Sequence, residues 1–425
     1  VAWIITEENF MKDYSNIVSY LKLRGSVGKT GSQNLGAYDW RTLMGSATYN
    51  GAAGIVPSSL GNDILQWEEQ IQKEVGLDYG FWDDRIRGTL GYYQKKVDNL
   101  LYSDPVPTSS SFSSVYQNIG SLKNRGIEFD VRVDIIKNVQ KDLTWNVDFN
   151  IARNRTTLEK LNSSDGYFGG GAYDYFKIEE GGETGRFYGY KDAGRLFMTN
   201  EELVGLKTID PKTGTLKYYR DDYNYERQGD VYIMDLDGDG QITADGDRTV
   251  IGNANPDFFG GFGSTLYWKG LMLNAVFSYS VGGDRFWDEE KNSSGDMNVY
   301  NTSNRILDSW TVNPGVNASY PRAMYYGWGS NSIITDRYIH DASYLRMTAL
   351  NLSYRLPKHL YKNSILNAVE FTFQATNLFT WTKYPGMDPQ GNFSTTYSAF
   401  YNMGIDYSTY PSARTYNFGI KLTLK

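Results

Sequence analysis

Apolar and polar residues alternate with a period of two along most of this chain. Between 271 and 280, Leu271, Leu273, Ala275, Phe277 and Tyr279 fall on one side, and Asn274, Ser278 and Ser280 on the other. A helix would mix these two sets, whereas a strand separates them. The same division sets Ile127, Phe129, Val131 and Val133 against Glu128, Asp130, Arg132 and Asp134, and Trp145, Val147, Phe149 and Ile151 against Asn146, Asp148 and Asn150. It recurs with Val369, Phe371, Phe373 and Ala375 against Glu370, Thr372, Gln374 and Thr376. At the end of the chain Tyr416, Phe418, Ile420, Leu422 and Leu424 oppose Asn417, Gly419, Lys421 and Thr423.

Strand length and the spacing of turns sharpen this pattern. Several runs extend for about nine to fourteen residues, whereas globular strands have a mode of about five or six and a tilted membrane strand needs about nine to eleven. The apolar sides carry almost no charge, while the other sides carry both signs. A transmembrane antiparallel β-barrel needs that arrangement, with lipid outside and a wet or plugged lumen inside. A soluble β-sandwich also alternates, with shorter strands. Tight turns are expected at Asp83-Asp84, Asn138-Val139 and Lys269-Gly270, and long polar connections at 50–66, 102–120, 162–182, 195–256, 284–340 and 385–411. Short turns at one rim and long loops at the other fit an outer-membrane barrel. Roughly twelve strands are expected, and no 20 to 50 residue repeat is visible, which argues against a propeller or solenoid. Trp40, Trp82, Tyr92, Trp268 and Tyr354 are expected near strand ends, where aromatic girdles form, with plain packing as the alternative for each.

Composition agrees with the all-β reading. The 425 residues include 35 Tyr, 20 Phe, 10 Trp and 44 Gly but only 11 Pro, and aromatic and glycine-rich chains favour pleated surfaces joined by turns. A net charge of −7 excludes a nucleic-acid partner, which would require a basic footprint. The absence of Cys removes disulfides, thiolate chemistry and Cys-based zinc sites. No apolar run reaches the eighteen residues of a membrane-spanning helix, and a mean hydropathy of −0.50 is compatible with a barrel, which hides its apolar residues in alternate positions. The chain opens at Val1 without an initiator Met or a signal-peptide pattern, so a processed or incomplete chain is expected.

One segment carries recognisable chemistry. In Asp235-Leu236-Asp237-Gly238-Asp239-Gly240-Gln241, carboxylates stand at positions 1, 3 and 5 of a turn, Gly at 6 and a backbone carbonyl at 7, a spacing that suits Ca²⁺ and its six to eight oxygens. Asp235, Asp237, Asp239 and the Gln241 carbonyl are the expected ligands. Position 12 is Gly246, so the closing carboxylate must come from Asp245 or Asp247. An acidic loop that is merely solvated is the alternative. Enzyme constellations are thin: the only histidines are His340 and His359, with no HExxH or G-x-S-x-G, and runs such as Glu68-Glu69 and Asp288-Glu289-Glu290 read as solvated charge. Catalysis is not expected. Tyr173, Tyr175, Tyr325, Tyr326 and Trp328, together with Phe176, are aromatic residues of long loops that could stack on a sugar or grip a peptide, with loop packing as the alternative.

Six segments, in order along the chain, resemble a known family. They are Leu21–Gln33, Tyr116–Glu128, Asp247–Asn253, Tyr338–Arg346, Asn377–Pro389 and Tyr410–Tyr416, and each is similar to a barrel motif of the SusC-like (SusC/RagA) TonB-dependent transporters. The matches cover most of the chain, and their co-linearity makes them specific. The resemblance implies the C-terminal half of a 22-stranded barrel, with the plug, the TonB-contacting segment and the first strands upstream or in another fragment. It also implies that the Asp-rich loop, placed before Arg248-Thr249-Val250-Ile251-Gly252, closes through Asp247 with a one-residue insertion. At the C-terminus the chain departs from the family's usual aromatic end, stopping at Leu424-Lys425.

The function that follows is TonB-driven import of an oligosaccharide or oligopeptide through the outer membrane of a Gram-negative bacterium. A SusD-like surface lipoprotein would cap the barrel, with a dimer of transporter–lipoprotein pairs as a further expectation. This chain would supply the wall, the extracellular loops and a Ca²⁺-stiffened segment at 235–247 within the 195–256 loop. Two alternatives remain open at this point: a self-contained porin-like channel of 16 or 18 strands, and a secreted β-rich binding module.

Overall fold

The computed structural model describes the chain except residues 33–35, 139, 163–166, 169–174, 200–201, 203–207, 210–215, 218–227, 297–301, 316–317, 324–330, 332, 363–364, 392–402, 408 and 425. Eleven strands form one antiparallel sheet in which each strand pairs with the next in sequence order. They are β1 (Ala2–Ile4), β2 (Val18–Ser32), β3 (Glu68–Phe81), β4 (Ile86–Asp98), β5 (Gly120–Asn138) and β6 (Leu143–Leu161), followed by β7 (Phe258–Trp268), β8 (Leu271–Val281), β9 (Tyr344–Arg355), β10 (Leu366–Thr382) and β11 (Thr415–Leu424). Ten are of the long class that a membrane requires. Among the described residues no ladder joins β1 to β11. The eleven wall strands among the described residues are fewer than the 16 or 18 of a self-contained channel.

One rim carries the short connections. β3 turns into β4 through Trp82, Asp83 and Asp84, all with positive φ. β7 turns into β8 through Lys269 (φ 45°) and Gly270 (φ 85°), the left-handed pair that a two-residue hairpin requires. The turn expected at Asn138-Val139 lies slightly later, because Asn138 still pairs with Leu143. At the other rim the connections are long. The two loops expected at 162–182 and 195–256 are one connection, running from β6 to β7. The strand between them, Arg186–Tyr190, pairs with Arg248–Asn253 rather than joining the wall. Period two marks any strand, and it does not distinguish a wall strand from one inside a folded loop.

The two faces of the sheet differ. On one, Leu23, Leu77, Leu90, Phe129 and Ile151 follow one another across β2 to β6. Phe262 stacks on Phe277 at 4.6 Å across β7 and β8. Leu273, Leu352, Phe371 and Ile420 on the later strands are exposed. An exposed apolar face spanning eleven strands far exceeds what a water-soluble protein tolerates, so the secreted-module reading fails and lipid is the solvent for this face. The other face is polar. Asn146, Thr265, Asn274, Asn351, Gln374 and Asn417 oppose one another across six strands, and the Asn351 amide donates to Asn274 at 3.0 Å. Near β2 and β3 the same face is charged: Lys22 lies 3.3 Å from Asp78, and Arg24 bonds Glu74 and Asp78.

A tyrosine-over-glycine arrangement occurs twice on the apolar face. Tyr79 lies opposite Gly88, and its hydroxyl donates to the Asp130 carbonyl of the next strand at 2.9 Å. Tyr279 lies opposite Gly260 and donates to the Asn150 carbonyl, also at 2.9 Å. A Cβ on either glycine would overlap that same carbonyl. The missing side chain lets a ring from one strand lie across its neighbour.

The buried core lies beyond the wall, among the long connections. Phe176, Phe187, Ala254, Phe286, Tyr338 and Ile405 form one cluster, and Leu196, Phe197, Val231, Ile233 and Ile242 another. Asp284–Trp287 pairs antiparallel with Ile339–Asp341 and parallel with Ile405–Asp406, so segments from two connections share one small sheet, and the first cluster adds residues of a third. The loops on this rim are a folded domain.

Candidate functional site

The Asp-rich loop grows out of that domain. Ile233 before it and Ile242 after it are fully buried in the same cluster, which holds both ends of the loop. Between them Gly238 (φ 76°) and Gly240 (φ 79°) take left-handed conformations, as a tight oxygen-lined turn needs. Asp235 accepts from the amides of Gly238 (2.7 Å) and Gly240 (2.8 Å), Asp237 from Asp239 (3.1 Å), and Asp239 from Gln241 (2.7 Å). Oxygens of Asp235, Asp237 and Asp239 lie within 4.8 Å of one another. The bond from the Asp239 amide pulls the Asp237 carboxyl down, but desolvation and the charges of Asp239 and Asp247 outweigh it, leaving Asp237 above the usual carboxylate range.

Asp247 sits on the inner side of the loop. Its two oxygens accept from the Leu236 amide and the Thr243 amide, both at 2.7 Å, and it is buried. It therefore ties the first and last residues of the loop together at the base of a helical turn, Ala244–Asp247, capped by Thr243. Each carboxylate retains lone pairs after these bonds, so the donor set of Asp235, Asp237 and Asp239 fits a hard divalent cation.

Two buried polar centres were not legible as such in the sequence. Arg346 and Asp388 are almost fully buried and lie 2.6 Å apart. Arg346 also donates to Gln390, Ser412 and Thr380, and Asp388 accepts from the amides of Gln390 and Ser412. Burial raises the Asp388 carboxyl, but the Arg346 guanidinium and these amides outweigh it, holding it below the usual range. The second centre corrects an expectation: Asp288 and Glu290, read as solvated charge, are buried. Asp288 accepts from Tyr175 at 2.6 Å. Glu290 meets Arg305 (2.8 Å), Tyr320 (3.2 Å) and His340 (2.5 Å). All of these partners come from distant segments, so no local spacing announces them.

Of the aromatic residues expected to meet cargo, Tyr173, Tyr325, Tyr326 and Trp328 lie outside the described residues. Tyr175 packs edge-on against Phe286 at 4.8 Å, and its hydroxyl is engaged by Asp288, an arrangement that accords with loop packing. Phe176 is buried against Phe187.

Residues 14–331 match the family described as TonB dependent receptor-like, beta-barrel. The chain belongs to that family. TonB-dependent receptor P3 of Formosa agariphila is 32% identical over 444 residues, covering 99% of this chain and 41% of that protein. TonB-dependent receptor SusC of Bacteroides thetaiotaomicron is 30% identical, covering 99% and 39%. The solved RagAB peptide transporter is similar in fold, with a TM-score of 0.74 at 27% identity over 99% of this chain and 42% of that one. This TonB-dependent receptor chain thus spans about two fifths of the length of the curated relatives it matches. It is SusC-like, and barrels of its kind reside in the outer membrane of Gram-negative bacteria.

The family segments acquire a physical reading in this receptor. Arg346 ends the Tyr338–Arg346 segment, Asp388 lies in Asn377–Pro389, and Ser412 lies in Tyr410–Tyr416, so the three meet at one buried ion pair. Asn377 also reaches the Ala413 carbonyl at 3.0 Å. Tyr384 donates to Asp406 at 2.8 Å and packs edge-on to His340. These motifs clamp the loop domain to the wall.

Proposed function

We propose that the full-length protein imports an oligosaccharide or oligopeptide across the outer membrane, driven by the TonB complex through a plug that this chain does not include, with a SusD-like lipoprotein over the long-loop rim. The reading rests on one observation above all: a loop domain folded from three connections stands on the long rim of a wall that belongs to the TonB-dependent receptor family. The SusC-like segments imply a paired SusD-like lipoprotein, and a dimer of such pairs is part of the proposal. The test is uptake of labelled oligopeptides and oligosaccharides by cells carrying the full-length protein, with and without TonB, alongside affinity purification in detergent. Import that requires TonB, with a lipoprotein copurifying, supports the reading. Flux that persists unchanged without TonB sinks it in favour of a passive channel.

The same proposal assigns Ca²⁺ to the Asp235–Asp247 loop. Asp235, Asp237, Asp239 and the Gln241 carbonyl would hold the ion, and Asp247 would close the shell while its bonds to the Leu236 and Thr243 amides brace the loop from within. The bound ion would neutralise carboxylates that now crowd one another, stiffening the connection without chemistry of its own. Limited proteolysis with and without EDTA tests this: Ca²⁺ should protect the 228–247 region in the wild type and not in Asp237→Asn/Asp239→Asn. Equal cleavage of the wild type with and without Ca²⁺ would remove the ion from the account.

A further inference from the structure

The apolar face of the wall changes character on only part of its width. On β2 to β6, moving from the short-turn rim toward the long loops, the first charged side chains on this face are Lys29, Lys73, Lys96, Arg125 and Arg153, with Lys123 beside Lys96. Each follows an uncharged stretch, such as Phe81, Tyr79, Leu77 and Val75 on β3. On β7, β8 and β9 the same face stays uncharged up to Phe258, Val281 and Leu345. The basic residues therefore form a patch directly above the apolar band, confined to one sector of the wall.

The cations exceed the acids that share this face. Glu69 takes Lys29 at 2.7 Å, Asp98 takes Lys96 at 2.9 Å, and Glu159 takes Lys123 at 3.1 Å. Lys73, Arg125 and Arg153 are exposed and make no ion pair among the described residues. Arg155, next along β6, is drawn instead to Glu183 and Asp257. Lys73 and Arg125 are separated in register only by Gln94, and Arg153 lies opposite Ile127, one step along β5 on the same face. With strands about 4.8 Å apart, Lys73 and Arg125 stand roughly 10 Å from one another.

We propose that this sector is a docking surface for the phosphorylated headgroup of an outer-leaflet lipid. Its acyl chains lie against the apolar band of β3 to β6, and its phosphates bridge Lys73, Arg125 and Arg153. The continuity of the patch with the band selects a lipid over a soluble anion. Cations at a membrane surface attract anionic headgroups, and the attraction weakens with salt.

The test is binding of diphosphoryl lipid A to the detergent-solubilised full-length protein, read by native mass spectrometry. Chemically dephosphorylated lipid A is the comparison lipid. Lys73→Gln/Arg125→Gln/Arg153→Gln is set against Lys22→Gln/Arg132→Gln/Lys421→Gln, whose changes lie on the polar face. The expected result is a loss of affinity of roughly fivefold per cation and on the order of a hundredfold for the first triple variant, with the second close to wild type. The proposal is overturned if the first triple variant binds like the wild type, if dephosphorylated lipid binds as tightly, or if both variants lose affinity equally. Should the first triple variant fail to fold, Lys73→Gln, Arg125→Gln and Arg153→Gln taken singly give the same reading.

Discussion

Arg346 and Asp388 show how much of the loop domain rests on a single contact. Both are buried, and the acid also receives two backbone amides, so removing the arginine strands a charge that water cannot reach. Breaking such a pair costs about 3–5 kcal/mol. Arg346→Ala should therefore expose the 383–414 connection to protease in an otherwise intact barrel. The same pair sets a pH dependence. The Asp388 carboxyl lies below its ordinary value in the folded protein, so its contribution is present in full above the unfolded carboxylate range. It is lost as the pH falls from about 4 through the depressed value. The protection of the amides of Gln390 and Ser412 against hydrogen exchange, relative to their intrinsic rates, should fall across that window in the wild type and show no such step in Asp388→Asn. At the Asp-rich loop protons would compete with the proposed Ca²⁺ for the same oxygens, so the protection proposed above should weaken as Asp237, already above the usual range, becomes protonated.

Among the elements, the tyrosine-over-glycine pairs test what holds neighbouring strands at their spacing. Gly88→Ala or Gly260→Ala would push a methyl group against a backbone carbonyl that cannot move without parting the ladder. Each should reduce the fraction of protein that resists unfolding in cold detergent, read as the heat-modifiable band on a gel. Tyr79→Phe keeps the ring and loses one hydroxyl bond, so about 1 kcal/mol is expected. The wall was legible in the sequence because alternation is local: Ile127 to Val133 and Leu271 to Tyr279 declare their faces without reference to anything distant. Turns were legible for the same reason, as at Lys269-Gly270. The folding of the loops was not. Arg186–Tyr190 resembles a wall strand until its partner, Arg248–Asn253, is known. Glu290 resembles a solvated acid until Arg305, Tyr320 and His340 close around it. The Asp-rich loop brings the oxygens of Asp235, Asp237 and Asp239 within 4.8 Å of one another, and the inward turn of Asp247 depends on the amides of Leu236 and Thr243, which spacing does not reveal.

For the whole molecule, the sheet has two free edges among the described residues, β1 with the later half of β2 at one side and β11 at the other. An unpaired edge offers a row of donors and acceptors to any other strand, and in lipid it must be satisfied. Refolded alone in detergent, this chain should give edge-paired oligomers in size-exclusion chromatography. A monodisperse, heat-modifiable monomer would contradict the open-sheet architecture. The small sheet in the loop domain bears on the order of assembly. Its members come from the β8–β9 connection and from the segment just before the last strand, with Ile405–Asp406 completing it beside Phe286 and Trp287. Contacts so far apart along the chain form late. The rim facing the cell's surroundings would thus remain unfinished until nearly all of the wall is made, so the passage is built before its cover and the cover cannot obstruct the strands as they enter the membrane.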